Sequence, residues 1–98
     1  MKQPHNYRIT IECTNAESEN SAQTLQFEMQ DREDMFAIVE KLKQGSGLDE
    51  KTSTRVGVAL RLLGPAMMQD RKHPVFVDFF PHFKTFMQNL KSKLKNNS

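Results

Sequence analysis

Tyr7-Arg8-Ile9-Thr10-Ile11-Glu12-Cys13 changes chemistry at every step. Tyr7, Ile9, Ile11 and Cys13 fall on one side, and Arg8, Thr10 and Glu12 on the other. Successive side chains of an extended chain point to opposite faces, so this period marks a half-buried β-strand. Thr24-Leu25-Gln26-Phe27-Glu28-Met29-Gln30 repeats the pattern, with Leu25, Phe27 and Met29 on the apolar side. The ten residues between, Thr14 to Gln23, are polar and lack an apolar anchor; they predict a long, mobile hairpin loop. A two-stranded ribbon is not stable alone, which predicts helices over its apolar face.

The rest of the chain changes to helical spacing. Asp31 is placed to cap a first helix through Arg32-Glu33-Asp34, with Met35, Ile38, Val39 and Leu42 on one face. Gly45-Ser46-Gly47 ends it by supplying left-handed backbone geometry. Asp49, or Ser46 with Asp49 three residues on, starts a second helix to about Asp70. Its predicted buried row is Val56, Ala59, Leu60, Leu63 and Met67, and Pro65 is expected to kink it. Pro74 suits the first position of a third helix, kinked at Pro81, and Asn96-Asn97-Ser98 is expected to fray. The order β-β-α-α-α predicts an α+β fold, a two-stranded antiparallel hairpin packed against three helices.

Five of the seven phenylalanines lie between Val75 and Leu90. Phe76, Phe79, Phe80, Phe83 and Phe86, continued by Leu90 and Leu94, share one helical face. Such a stripe has to be covered, and its simplest reading is core. On that reading Phe79→Ala and Phe83→Ala would each cost about 3–5 kcal/mol, the usual range for a deleted buried ring.

Ninety-eight residues predict one domain, residues 1–98, with a single core and little stability to spare. Cys13 is the one cysteine, so no internal disulfide forms. No apolar run has membrane-spanning length, and Met1-Lys2-Gln3-Pro4-His5-Asn6 is too polar to open a signal peptide. These features predict a reduced cytoplasmic protein without membrane contact. The net charge is only +2, but residues 1–50 carry five basic groups against ten acidic ones, and residues 51–98 nine against two. That asymmetry fits an anion-binding surface, attraction between the halves, or a merely soluble tail.

The opening Tyr7-Arg8-Ile9-Thr10-Ile11-Glu12 resembles a family of short bacterial proteins known only as a domain of unknown function. So do Leu25-Gln26-Phe27-Glu28, Ile38-Val39-Glu40-Lys41-Leu42, Gly57-Val58-Ala59-Leu60-Arg61-Leu62-Leu63, and Arg71-Lys72-His73-Pro74-Val75-Phe76 with Phe83 and Phe86 to Leu90-Lys91. The resemblance spans nearly the whole chain. It implies a small α+β domain and carries no activity, ligand or catalytic residue.

His82 lies four residues after Asp78, so on a helix the carboxylate could orient the imidazole. A metal site needs three or four converging ligands. His73 and His82 are on roughly opposite faces of one helix with no Cys or Glu cluster beside them, so neither metal nor cofactor is predicted. Cys13 with His82 is an allowed nucleophile–base pair, but Cys13 belongs to the apolar strand face, where a thiol packs as a small hydrophobe. The glycine turn invites a helix-turn-helix comparison, but Asp49 and Glu50 would meet phosphates with like charge. Lys84, Gln88, Lys91 and Lys95 form one stripe of the last helix, and Lys84, Lys91 and Lys95 are the candidate anion contacts.

The expected function is therefore a small cytoplasmic, non-catalytic interaction or regulatory module. Its partner is another protein or itself, as a homodimer. The alternative is a weak nucleic-acid or anion binder through the basic last helix, disfavoured by the acidic first half. An enzyme using Cys13 and His82 ranks third.

Overall fold

The two alternating stretches form a two-stranded antiparallel sheet, β1 (His5–Glu12) and β2 (Thr24–Asp31). A computed structural model describes residues 3–15 and 23–97 of the chain. Residues 16–22 of the expected hairpin loop, and Ser98 of the expected frayed end, lie outside the described residues. The chain divides into two units, Met1–Glu33 and Asp34–Ser98.

In the first unit the register sets Tyr7 against Met29, Ile9 against Phe27 and Ile11 against Leu25 on one apolar face, which ends at the polar pair His5 and Asp31. On the other face Arg8 lies opposite Glu28, and its Nη2 donates to Glu28 Oε2 at 2.9 Å. Gln26 Nε2 donates to Thr10 Oγ1 at 3.0 Å, a second cross-strand polar pair. The ladder runs without a bulge from His5–Asp31 to Glu12–Thr24. Asp31 does not cap a helix as the sequence suggests. It ends β2, is buried, and its carboxylate accepts from Glu33 N at 3.0 Å. A short aspartate side chain readily closes such a local turn, and that use takes it out of competition for the cap.

The second unit is helical: α1 (Met35–Gly45), α2 (Glu50–Gln69), α3 (Pro74–Val77) and α4 (Phe80–Asn97). Asp34 caps α1, accepting from Phe36 N and Ala37 N. Asp49 caps α2, accepting from Thr52 N at 2.8 Å. Its hydrogen bonds from Thr52 favour the ionised form and hold its carboxyl below the usual carboxylate value. Between the two helices Gly47 adopts φ of 84°, the left-handed region foreseen for the glycine turn.

Two glycines set how closely the helices approach. A Cβ at Gly57 of α2 would stand 2.9 Å from Val39 Cγ2 and 3.3 Å from the Val39 backbone of α1. One at Gly45 would stand 3.2 Å from Leu94 Cδ2 of α4. Helix α1 therefore lies between α2 and α4, and Leu42 at 1% exposure and Met67 at 0% occupy the centre. The Ser46 and Ser53 hydroxyls, both buried, lie 3.5 Å apart where α1 gives way to α2. Ser46 Oγ accepts from Leu48 N, and Ser53 Oγ donates to Leu48 O, so neither hydroxyl is stranded.

Two helical readings are corrected. The buried row of α2 is Ser53, Gly57, Gly64 and Met67, whereas Ala59 and Leu63 of the expected row are exposed. At Gly57 the buried residue is small because α1 approaches too closely for a larger one. The expected third helix is two helices, parted at Asp78 and Phe79. Pro81 stands at the second position of α4, where a missing N–H costs nothing, so it begins a helix rather than bending one. In α2, by contrast, the helix continues through Pro65.

Candidate interaction surfaces

The phenylalanine stripe is only partly covered: Phe76, Phe80, Leu90 and Leu94 are half-buried, and Phe79 and Phe86 are exposed. Phe83 is half-buried and faces Gly64, where an added Cβ would meet its Cζ at 3.7 Å. Phe79 packs against Phe83 with the rings tilted by 45° and their centroids 5.8 Å apart, and Arg71 lies over the Phe80 ring at 5.9 Å. Val75, Phe79 and Phe86 remain 71%, 44% and 47% exposed, and Val77 is exposed as well. A cost of about 3–5 kcal/mol belongs to a fully buried ring, and Phe79 is not one. The break at Asp78–Phe79 ends the single-helix geometry on which the core reading relied.

This is the strongest departure from an ordinary interior. Among the described residues the buried hydrophobic side chains are Met35, Leu42 and Met67, while eleven large hydrophobics are exposed. On the ribbon, Ile11 and Leu25 are 54% and 59% exposed. Single exposed hydrophobics need no explanation; a set drawn from one twelve-residue segment does.

The lysines are partly brought together. Lys91 and Lys95 of α4 line a groove of about 300 Å³ with Lys41 and Gln44 of α1, over Gly45 and Leu94. Lys84 is not among its lining residues. Lys41 was missed because only the contact between Gly45 and Leu94 puts it beside α4, and no sequence pattern encodes that contact. The groove adjoins the C-terminal ends of α1 and α4, where the helix dipoles place partial negative charge. Lysines there complement the helix dipoles. Nucleic-acid binding should nonetheless be unmeasurable even at about 50 mM salt, because the acidic first half repels a polyanion and the net charge is only +2. Replacing Lys84, Lys91 and Lys95 with glutamine should leave the melting temperature nearly unchanged. A micromolar complex at physiological salt, lost in that variant, would establish the anion-binding alternative instead.

The remaining candidates have structural placements. His73 caps α3, its Nδ1 accepting from Val75 N at 3.1 Å. Asp78 ends α3 and His82 lies in α4, so the continuous helix that would set one over the other is interrupted, and no hydrogen bond or ion pair joins them. Cys13 lies just past β1, half-buried and unpaired with another cysteine. Among the described residues no three His, Cys, Asp or Glu side chains gather as a metal site would require, and no helix is long and apolar enough to cross a membrane.

A family model described as a domain of unknown function with solved structure, DUF3861, matches residues 5–92. The chain belongs to this family. The crystal structure of a protein of unknown function from Pectobacterium atrosepticum SCRI1043 is similar to it, with 36% sequence identity and a TM-score of 0.79 over 92% of this chain and 99% of that one. No curated protein matches the chain. The resemblance read from the sequence thus holds, as does the α+β order of a hairpin followed by helices. Both the DUF3861 description and that of the bacterial relative leave function open, so no activity passes from them to these residues.

Proposed function

We propose that this DUF3861 protein is a small, non-catalytic interaction module of the cytoplasm that binds a protein partner through Val75, Val77, Phe79 and Phe86. The observation that carries this reading is the exposure of those side chains when, among the described residues, Met35, Leu42 and Met67 are the buried hydrophobics. Apolar surface left in water forfeits roughly 25 cal/mol for every Å² that a partner could cover. Around the segment Arg71, Lys72 and Lys84 outnumber Asp70 and Asp78, so the matching surface is apolar at its centre and acidic at its rim. Aromatic side chains with few rotatable bonds lose little entropy on binding, which suits Phe79 and Phe86 to anchor such a contact.

The test is a titration. The tagged full chain should retain one protein from native lysate in stoichiometric amount, and that protein, once purified, should bind the parent by calorimetry. Val75→Glu/Phe86→Glu should weaken this binding by about a hundredfold or more, as for loss of two anchors, with an unchanged circular dichroism spectrum. Equal affinity for parent and variant would remove the segment from the interface.

A further inference from the structure

We infer that β1 is a self-pairing edge, through which two copies of the chain join antiparallel strands into one four-stranded sheet. Cys13 N donates to Gln23 O at 3.5 Å, which makes Cys13 and Gln23 a hydrogen-bonded pair of the ladder. Such pairs alternate along antiparallel strands, so His5, Tyr7, Ile9 and Ile11 also turn their main-chain groups toward β2. Asn6, Arg8, Thr10 and Glu12 turn theirs outward. No third strand meets that edge among the described residues, and the edge itself carries no proline, glycine or bulge to blunt it.

Charge selects the register. Set Thr10 against the partner's Thr10, and Arg8 faces the partner's Glu12 while Glu12 faces the partner's Arg8. The apolar face continues across the join, Ile9 beside the partner's Ile11 and Ile11 beside the partner's Ile9. Among the described residues Glu12 makes no ion pair within its own chain. Arg8 holds Glu28 through Nε and Nη2, leaving Nη1 for a second carboxylate. The result is a row of alternating charge on the polar face, Glu28, Arg8 and the partner's Glu12, repeated by the two-fold axis. Sliding the strands by two residues loses both ion pairs. Sliding them by four sets Arg8 against the partner's Arg8, or Glu12 against the partner's Glu12.

The other edge offers nothing comparable. Thr24, Gln26, Glu28 and Gln30 of β2 face outward with one acidic group and no basic one, so β2 has no opposite charge to give its own copy. Pairing β1 with the partner's β2 would be head-to-tail and open-ended, whereas β1 on β1 closes after two copies. The pairing uses residues other than those of the helical segment proposed above, and a dimer would carry that segment twice.

Sedimentation equilibrium of the full chain across the micromolar range tests the pairing. The parent is expected to be a dimer. Glu12→Arg keeps the Arg8–Glu28 pair but turns both inter-chain attractions into repulsions, and should raise the dimer dissociation constant about tenfold or more. Arg8→Glu also turns both inter-chain attractions into repulsions, though it gives up the Arg8–Glu28 pair within the ribbon, and should likewise raise the dissociation constant. Mixed in equal amounts, the two variants should recover the dimer. One strand then carries arginine at both positions and the other glutamate at both, so each position 8 again faces a position 12 of opposite charge. Thr10→Pro, which removes an outward N–H at the two-fold centre, should give a monomer that keeps its ribbon. Val75→Glu/Phe86→Glu should leave the dimer intact, which separates failure of this inference from failure of the helical interface. A parent that is monomeric throughout would overturn the inference. So would a dimer that survives both Glu12→Arg and Thr10→Pro, or a variant mixture that stays monomeric.

Discussion

Leu42→Ala should destabilise the helical unit by about 3–5 kcal/mol, the upper part of the range for a buried leucine. Leu42 is 1% exposed and lies on α1, the helix flanked by both α2 and α4. Its loss would open a void bordered by two helix contacts that cannot both close. The close approach of Gly57 to Val39 and of Gly45 to Leu94 already fixes the spacing on either side. A domain of this size has a total stability of about 5–10 kcal/mol, so the variant should be largely unfolded at physiological temperature. Urea denaturation monitored by circular dichroism measures the effect directly.

Gly57→Leu should be nearly as damaging, at about 3 kcal/mol. The first carbon of any side chain at this position meets Val39 Cγ2 at 2.9 Å and Leu42 Cδ1 at 3.1 Å. Neither is the far end of a long flexible chain, and the Val39 backbone lies only 3.3 Å away, so α1 and α2 must separate. Separation would uncover Leu42 and pull the Ser46 and Ser53 hydroxyls out of contact. Gly64→Ala is the matched control. There an added Cβ first meets Phe83 Cζ at 3.7 Å, an ordinary contact, and the gain in helix propensity should offset any crowding by Pro65. If both substitutions prove equally tolerated, the two helices are not held at their closest approach by Gly57.

The ribbon was legible because a two-residue period has only one structural meaning. The alternations at Tyr7–Cys13 and Thr24–Gln30 mark the strands to within a residue or two of His5–Glu12 and Thr24–Asp31. Met35, Ile38, Val39 and Leu42 likewise identify the inward face of α1, since all four are buried or half-buried. The face of α2 is misjudged when large apolar residues serve as the mark of burial. Where α1 and α2 nearly touch, the buried residue is Gly57, whereas farther along the expected row Met67 is buried and Leu60 half-buried.

The phenylalanines show a deeper limit. Core and interface are made of the same side chains at the same spacing, and periodicity reports a shared face without saying what lies over it. Only the break between α3 and α4, and the half-burial of Phe83 beside an exposed Phe79, distinguish the two. For Asp78 and His82 the spacing was right and its premise was not, because Pro81 starts α4 instead of continuing a helix from Pro74. The lysine groove depends on a contact between residues 45 and 94, a separation at which sequence pattern carries no signal.

The central claim is that Val75, Phe79 and Phe86 serve binding and not folding. Urea unfolding of Val75→Glu/Phe86→Glu beside the parent, in the absence of any other protein, tests it most directly. Two carboxylates placed on a surface already open to water should shift the unfolding free energy by no more than about 0.5 kcal/mol, with an unchanged slope. A loss of several kcal/mol, or a broadened transition with a reduced slope, would mean that the segment is interior and holds the fold together instead of a partner.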